Sequence, residues 1–492
     1  MKKHYNIIIV LLAVISLSAC KKDFLEKLPL GKMSPESFFT DKNGLIQGTN
    51  AAYEQLRSWN LTGFSYIAID IVSDDTDKGG EAGGSADNLG FMDNLQISPQ
   101  TTAVSGWYNG NYQLIVRTNL ILANIDDAEV DDQEFKDRIK AENRFLRAVA
   151  YLNLVRAFGG VAKITEPVSL NDPYVARSTT DEIWQLIDDD LEFAIDNLPE
   201  KSEYALADLG RATKGAARGL LARAYLFRNN FTKVEELSLA IIKTEQYQLY
   251  PDFGEIFQPA GNNCSESVFE VQASSSIEQS IGTDKFNTTQ MPRGQTGWGF
   301  NLPTADLEAA FEPNDPRKDA TIAYPGDIMY DGVVVIDYPT IEGGVAQYNQ
   351  KAYIAEWEGG ASGNDPGNIR VIRYSDILLM AAEAMNENGN PTGALSYLNM
   401  VRERARDGNN AILPDIIETD QSALRTIIWH ERRVELAIEQ LRFWDLVRQG
   451  RAYEVMQAHG KTNFVNGTHE LWPIPQTEID ITEGIITQNP GY

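Results

Sequence analysis

Residues 429–450, WHERRVELAIEQLRFWDLVRQG, constrain the fold more than any other stretch of the chain. Apolar residues recur there at three- and four-residue steps and Gly450 supplies a stop, so the pattern predicts a helix. Glu431, Glu435 and Glu439 would stand one turn apart, where like charges repel unless cations lie between them. Other charged residues interleave with them: Arg432, Arg433, Arg442, Asp445 and Arg448. One interpretation is a metal-binding or catalytic carboxylate cluster. The other, which the guanidinium groups favour, is an ion-pair lattice that clamps neighbouring helices.

Helical periodicity continues on both sides of the middle of the chain. An apolar stripe follows residues 135–155, and Thr179 with Glu182 predicts a capping box ahead of another helix. Residues 213–229 and 232–245 predict two antiparallel helices, the second capped by Thr232 and Glu235, and residues 368–401 predict a further pair. Two helices in about thirty residues are typical of a tetratricopeptide-like unit, so we expect a mainly α fold built from such pairs.

The helical period fades between residues 251 and 368, where glycine, proline, asparagine and serine dominate. Short β-prone runs at 267–271 and 332–336 predict strands in this irregular insertion. A long irregular insertion in a helical scaffold is usually functional. We therefore expect an N-terminal helical part over 34–250, a loop-rich ligand-facing region over 251–368, and C-terminal helical pairs with a packed tail over 369–492. The three parts would form one compact unit.

The amino terminus has the pattern of a cleaved export signal. Lys2 and Lys3 precede an apolar run over residues 7–17 that is too short for a comfortable membrane span. Residues 17–20, Leu-Ser-Ala-Cys, match a bacterial lipobox, in which the thiol of Cys20 takes a diacylglyceryl group. We therefore expect a lipoprotein signal peptide over 1–19, a lipidated tether over 20–33 and a membrane anchor made of acyl chains. An ordinary secretory signal with a coincidental cysteine is the alternative.

Charge and composition narrow the range of partners and cofactors. A formal net charge of −27 argues against nucleic acid as a partner, because nucleic acid is itself negatively charged. Two cysteines exclude a disulfide framework and a cysteine-based zinc site, and we expect no cofactor. Residues 73–90 are rich in glycine and aspartate without periodicity, which predicts a loop.

That acidic loop allows two interpretations. Asp75 and Asp77 resemble the start of a calcium loop, but Ala86 stands where a bidentate glutamate is needed, so a structural calcium ion is the weaker interpretation. The other is a loop that offers Asp75, Asp77 and Asn88 to the hydroxyls of a ligand.

Aromatic residues of the middle region lack a helical stripe, and some stand among glycines that would leave them exposed. Pyranose faces carry C–H groups that pack on aromatic rings, and sugar hydroxyls need both donors and acceptors. Trp298, Trp357, Arg293 and Asn301 are therefore candidate ligand contacts. The alternative is that each aromatic ring serves local packing.

Several segments resemble one family. Residues 431–450 are similar to its E-R-R-x-E-L-A-x-E-G-x-R-x-x-D-L-x-R signature, and residues 141–161 are similar to its A-E-x-x-F-L-R-A run. The ending, residues 473–492, is similar to P-I-P-x-x-E-I…Q-N-P-G-Y. These are motifs of the SusD/RagB-type outer-membrane nutrient-binding lipoproteins, and the resemblance spans nearly the whole chain. Gln440 and Leu441 depart from the pattern, since the family usually has Gly-His there.

The resemblance carries expectations about fold, location and partners. It implies a largely helical fold with four tetratricopeptide-like pairs and an irregular ligand-facing half. It implies a lipid-anchored protein on the exterior of a Bacteroidetes-type outer membrane. It also implies a SusC-like TonB-dependent β-barrel transporter as partner, over which the protein sits as a lid, and a glycan ligand bound by loop aromatics.

Other functions stay open at this stage. A glycoside hydrolase would need two acids of different pKa, or a nucleophile with a histidine. The histidines share no such context and there is no G-x-S-x-G, so we expect a binding protein and not an enzyme. An assembly scaffold without its own ligand, or a binder of peptides, would fit the same family.

Overall fold

The computed structural model describes residues 35–80, 87–169, 172–274, 281–295, 297–336, 347–355 and 364–492. The helices of the N-terminal part are α1 Pro35–Phe38, α2 Lys42–Gln55, α3 Trp59–Thr62, α4 Phe64–Ile71, α5 Asp87–Asp93, α6 Thr102–Asn124, α7 Gln133–Phe158, α8 Thr180–Asn197, α9 Lys214–Phe227 and α10 Phe231–Ile242. The middle region contains the short helices α11 Phe286–Gln290, α12 Ala305–Ala310 and α13 Pro316–Thr321. The C-terminal helices are α14 Tyr374–Glu387, α15 Pro391–Ala405, α16 Gln421–Glu435, α17 Arg442–Arg448, α18 Ala452–His459 and α19 Gln476–Ile481. Short 3₁₀ turns lie at Lys201–Glu203, Leu206–Asp208, Glu255–Phe257, Pro259–Gly261 and Gln350–Ala352.

Consecutive long helices pack on each other to form a continuous array. Helix α6 packs on α7, α7 on α8, α8 on α9 and α9 on α10, and the array continues from α10 to α14, which also contacts α15 and α16. This arrangement confirms the prediction of a mainly α fold with tetratricopeptide-like pairs. Within the described residues no helix combines the length and the apolar character needed to cross a bilayer.

The helix caps agree with the sequence in one case and differ in another. The predicted capping box is present, because the Thr179 amide donates to a Glu182 carboxylate oxygen at 2.8 Å and the Glu182 amide donates to the Thr179 hydroxyl at 3.2 Å. The predicted cap at Thr232 is wrong. Helix α10 begins earlier, and the side chain of Asn230 accepts the bond from the Lys233 amide at 3.3 Å.

The described strands form three two-stranded antiparallel sheets. Strands β1 Thr76–Gly79 and β3 Phe300–Pro303 form the first, β2 Ser267–Val271 and β6 Ile369–Arg373 the second, and β4 Ile322–Ala323 and β5 Tyr348–Asn349 the third. The strand predicted over 267–271 is confirmed. Residues 332–336 contribute only an isolated bridge between Ile328 and Val334, so a strand there was a wrong prediction.

The first two sheets join distant parts of the chain, since β1 comes from the N-terminal part and β3 from the middle region. The loop predicted over residues 73–90 is therefore wrong in part, because it contains β1 and the beginning of α5.

The predicted helix over residues 429–450 is interrupted. Helix α16 ends at Glu435 and α17 begins at Arg442, and between them Ile438 and Gln440 have φ of +58° and +57°. Tertiary contacts satisfy the backbone groups that the interruption frees. The Lys351 ammonium donates to the carbonyl of Ala437 at 2.9 Å, and the Gln440 amide donates to the Asp70 carboxylate at 3.0 Å. The periodic pattern of apolar residues could not predict this interruption, because the groups that stabilise it come from distant parts of the chain.

Asp70, which accepts the Gln440 amide, is the central hydrogen-bond acceptor beside the interruption between α16 and α17. It also accepts the side-chain amide of Gln440 at 2.7 Å and that of Asn301 at 3.4 Å. Burial raises the pKa of Asp70 to about 7, although these hydrogen bonds act in the opposite direction.

We expect the Asp70→Asn variant to gain stability relative to the wild type as the pH rises from 4.5 to 7.5. In this window the folded state holds a proton on Asp70 that the unfolded chain releases, so the contribution of Asp70 to stability falls as the pH rises. The change in the difference between the two proteins should be about 2–4 kcal/mol. Urea unfolding at several pH values measures it. A difference that does not vary with pH would show that Asp70 stays ionised in the folded protein.

The tail lies across the helical array, as the sequence predicted. Trp472 is fully buried, and its amide donates to the carbonyl of Ala157 on α7 at 2.6 Å. The Asn489 side chain donates to the carbonyls of Phe158 at 3.1 Å and Trp472 at 2.7 Å. Arg177 in turn donates to the Asn489 side-chain oxygen at 2.6 Å. These bonds fix the last residues of the chain to the end of α7.

Candidate functional site

Three half-buried aromatic rings, Trp59, Phe64 and Trp298, form a cluster that we call the aromatic platform. The centroids of Trp59 and Phe64 lie 5.0 Å apart, those of Trp59 and Trp298 6.4 Å, and those of Phe64 and Trp298 6.0 Å. Each ring retains partial exposure. Large aromatic rings that are partly exposed to solvent are typical of ligand-binding surfaces, because they offer a large contact area at a small entropic cost.

Local backbone structure holds the two tryptophans in place. Gly63 separates α3 from α4, and a Cβ added there would lie 2.3 Å from the indole of Trp59, so the close approach requires glycine. The Trp298 amide donates to the carbonyl of Thr288 at 2.8 Å. The Arg293 guanidinium donates to the carbonyl of Trp298 at 3.0 Å. Two separate segments of the chain thus form one surface.

Charged groups border the aromatic platform. The Lys285 ammonium lies 4.7 Å from the ring centroid of Trp298, a cation–π contact. The neighbouring Asp284 donates its amide to the carbonyl of Arg57 at 2.9 Å, and burial raises the pKa of its carboxyl. A cation, a carboxylate and aromatic rings together supply what sugar rings and their hydroxyls require.

A cleft of about 460 Å³ adjoins this surface on the side of Arg57. Tyr53, Arg211 and Gln272 line it together with Arg57. The cleft is open and lined by both polar and apolar groups, so an extended ligand on the platform could continue into it.

The structure brings some of the sequence-predicted ligand residues together and separates others. Trp298 and Arg293 are neighbours at the platform. The side chain of Asn301 is 0% exposed and donates to the Gln290 side-chain oxygen at 2.9 Å, so its burial argues against a ligand contact. Asn301 has φ of +59°, which directs its side chain into the core. Trp357 and Cys20 lie outside the described residues.

The acidic loop does not form one ligand surface. Asp75 is 0% exposed and accepts a bond from the Arg433 guanidinium at 2.7 Å, so it is committed to an internal ion pair. Asp77 is exposed on β1, and Asn88 accepts the amide of Thr102 at 3.2 Å near the beginning of α6. Among the described residues no His, Cys, Asp or Glu side chains are grouped so that they could hold a metal ion. The described part of the segment proposed for calcium, residues 75–80, contains β1, and Asp75, which precedes this strand, is paired with Arg433.

Sequence reasoning missed Trp59 and Lys285. Trp59 comes from a helical part of the chain, where tryptophan usually belongs to the core. A usable signal was the segment WNLTG, in which a tryptophan precedes a glycine outside any apolar stripe.

The three glutamates of α16 and the following turn form the predicted ion-pair lattice. Arg317 donates to Glu431 at 2.6 Å and to Glu435 at 3.1 Å. Arg373 donates to Glu435 at 2.9 Å and to Glu439 at 2.8 Å. Further cations complete the lattice: Lys351, Arg402 and Arg404.

These arginines come from other segments of the chain and not from the same helix. Burial alone would raise the pKa of the Glu435 carboxyl, but Arg404, Arg373 and Arg317 together hold it well below its ordinary value. Fully paired carboxylates of this kind are unsuited to acid–base catalysis or metal binding. The structure thus favours the structural interpretation of the cluster.

Comparison with known proteins extends these observations to the whole chain. A model of the SusD family matches residues 265–492, and a second model, described as starch-binding associating with outer membrane, matches residues 23–226. The SusD-like protein P2 of Formosa agariphila is 29% identical over the full length of both chains. A SusD-like protein of Bacteroides ovatus is 26% identical over 90% of this chain and 82% of its own.

Solved structures show the same fold. A laminarin binding SusD-like protein superposes with a TM-score of 0.78 at 28% identity, covering 92% of this chain and 100% of that one. Surface glycan-binding protein A from Bacteroides thetaiotaomicron, in complex with laminarihexaose, superposes with a TM-score of 0.78 at 24% identity over 92% of this chain and 100% of that one. The family models, the full-length relatives and the shared fold show that this chain belongs to the SusD/RagB family.

Proposed function

We propose that this protein binds an oligosaccharide at the aromatic platform and passes it to a TonB-dependent β-barrel transporter of the SusC type in the outer membrane. The observation that carries the proposal is the platform itself, with the partly exposed Trp59 and Trp298 beside Lys285 and Asp284. Pyranose rings pack their C–H faces on aromatic rings, while a cation and a carboxylate serve their hydroxyls.

The family supports this choice of ligand class. A relative of the same fold, 28% identical over nearly the whole chain, is a laminarin binding protein, so a β-linked glucan oligosaccharide is the first ligand to test. In the proposed arrangement Cys20 carries the acyl anchor and the protein faces the cell exterior above the barrel. It acts as a binding protein without catalysis, which agrees with the pairing of the glutamate cluster of α16 with arginines.

Replacing Trp298 by alanine is expected to weaken oligosaccharide binding roughly 30-fold, because the loss of a central aromatic contact costs about 2 kcal/mol. Trp59→Ala should have a similar effect. Calorimetric titration of the soluble form, beginning after Cys20, against laminarin oligosaccharides, other oligosaccharides and peptides measures it. Tyr453→Ala is the matched control, since Tyr453 is 47% exposed but contacts none of the platform rings.

Other results would separate the alternatives. Saturable binding that neither tryptophan variant changes would place the ligand elsewhere on the protein. Binding of peptides alone would replace the glycan as ligand class. No binding across the panel would favour an assembly scaffold, and release of shorter sugars would indicate a hydrolase.

A further inference from the structure

A separate cavity lies inside the protein, and its lining differs in chemical character from the proposed ligand surface. It has a volume of about 70 Å³ and lies between the N-terminal helices and the segment that joins α16 to α17. Six side chains of the lining carry hydrogen-bond donors, namely Tyr66, Trp107, Arg156, Arg223, Arg370 and Trp444. Asn153, Gln440 and Glu439 also line the cavity, and the Glu439 carboxylate is already paired with Lys351 and Arg373.

Several of these side chains have one donor atom without a hydrogen-bond partner in the protein. Three fully buried donor atoms of these side chains make no hydrogen bond: Nε1 of Trp107, Nε1 of Trp444 and Nε of Arg223. Buried donors without an acceptor are costly, so a lining with several of them calls for an acceptor that the chain does not supply.

Arg156 forms no ion pair within the described residues, although the Asp445 carboxylate acts on it from a greater distance. Arg223 pairs with Asp376 at 2.7 Å and Arg370 lies 3.6 Å from Glu270. Arg156 is only 8% exposed, and its hydrogen bonds go to the Leu152 carbonyl at 3.2 Å and the Asn153 side-chain oxygen at 3.0 Å. Its Nη1 group makes no hydrogen bond within the described residues.

The direction of the pKa shift of Arg156 agrees with the lack of a direct ion pair. Burial, together with the nearby Arg223 cation, lowers the pKa of Arg156 to about 9. The Trp444 ring, 5.3 Å from the guanidinium carbon, offers a cation–π contact but no charge. A buried guanidinium of this kind is normally paired with an anion.

We propose that this cavity binds one small inorganic anion of the chloride class beside Arg156 and Arg223. An anion accepts several hydrogen bonds and donates none, which suits a lining of donors, and its charge offsets that of Arg156. A cavity of this volume has room for a monatomic anion and a few waters, since one water needs about 10–15 Å³. One such water can donate to the Gln440 side-chain oxygen, which also lines the cavity.

Water alone suits the site less well. Each water brings two donors of its own into a lining that already has an excess of them, and it leaves Arg156 without a directly paired anion. The anion would therefore be a structural ligand that stabilises the packing of the two helical halves.

The test is thermal unfolding of the full chain, purified in detergent, as chloride replaces gluconate at constant ionic strength. For the wild type the Tm should rise by about 1–2 °C for each tenfold increase in chloride above its dissociation constant. The Arg156→Met variant should lose this dependence. Arg177→Met is the matched control and should keep it, because Arg177 bonds to carbonyls and Asn489, has no carboxylate partner among the described residues and does not line the cavity.

Diffraction from wild-type crystals soaked in bromide decides the matter if Arg156→Met does not fold. An anomalous peak beside Arg156 and Arg223 is the expected result. The proposal is overturned if the cavity holds only waters, or if the wild type and Arg156→Met respond to chloride with the same slope.

Discussion

Replacing Arg373 by methionine is expected to lower the free energy of unfolding by about 3–5 kcal/mol, the cost of removing one partner from a buried ion-pair network. Arg373 is 2% exposed and donates to Glu435 at 2.9 Å and to Glu439 at 2.8 Å, and it also pairs with Glu266. Methionine fills a similar volume but leaves these three carboxylates short of a cation. Urea unfolding monitored by tryptophan fluorescence measures the loss.

A matched control comes from an exposed ion pair. Arg117 pairs with Glu54 at 3.2 Å, but their side chains are 39% and 58% exposed, so Arg117→Met should cost below about 1 kcal/mol. Combining Arg373→Met with Glu439→Gln should cost less than the sum of the two single changes, because both act on one network. If Arg373→Met costs no more than Arg117→Met, the lattice does not contribute to stability.

Trp472→Ala is expected to cost about 3–5 kcal/mol, because it opens a large cavity where the tail crosses the array. Trp472 is 0% exposed, and its ring centroid lies 5.9 Å from that of Trp444 and 6.2 Å from that of Phe158. The same unfolding experiment applies. Ile485→Ala is the control in the same tail, because Ile485 is 45% exposed and should cost about 0.5 kcal/mol or less. Equal costs would mean that the tail is not anchored through Trp472.

The helical architecture could be predicted from the sequence, because the buried face of each long helix appears as a repeating stripe of apolar residues. The ion-pair lattice could also be predicted, since glutamates one helical turn apart need cations between them. The sequence could not show where those cations come from. Arg317 and Arg373 reach Glu435 from the middle region and from the end of β6, and only the folded chain makes them neighbours.

The same limit explains the errors at the candidate site. Trp298 was identified because it stands among glycines in an irregular segment. Asn301, three residues later, looked equivalent, but its backbone turns the side chain towards Gln290 and away from solvent. Asp75 was expected to be exposed in a polar loop, but Arg433 holds it inside the protein at a sequence distance of 358 residues. Polar composition predicts exposure only where no distant partner exists.

The origin of the lattice cations also affects the order in which the chain can fold. Arg317 and Glu431 are 114 residues apart, and Arg373 and Glu266 are 107 residues apart. Contacts of such long range form slowly, and a chain that has not yet gained its C-terminal helices would expose unneutralised charges where the native core should form. A partly synthesised chain therefore resists premature compaction. The last ion pairs of the lattice close only when the C-terminal helices are available.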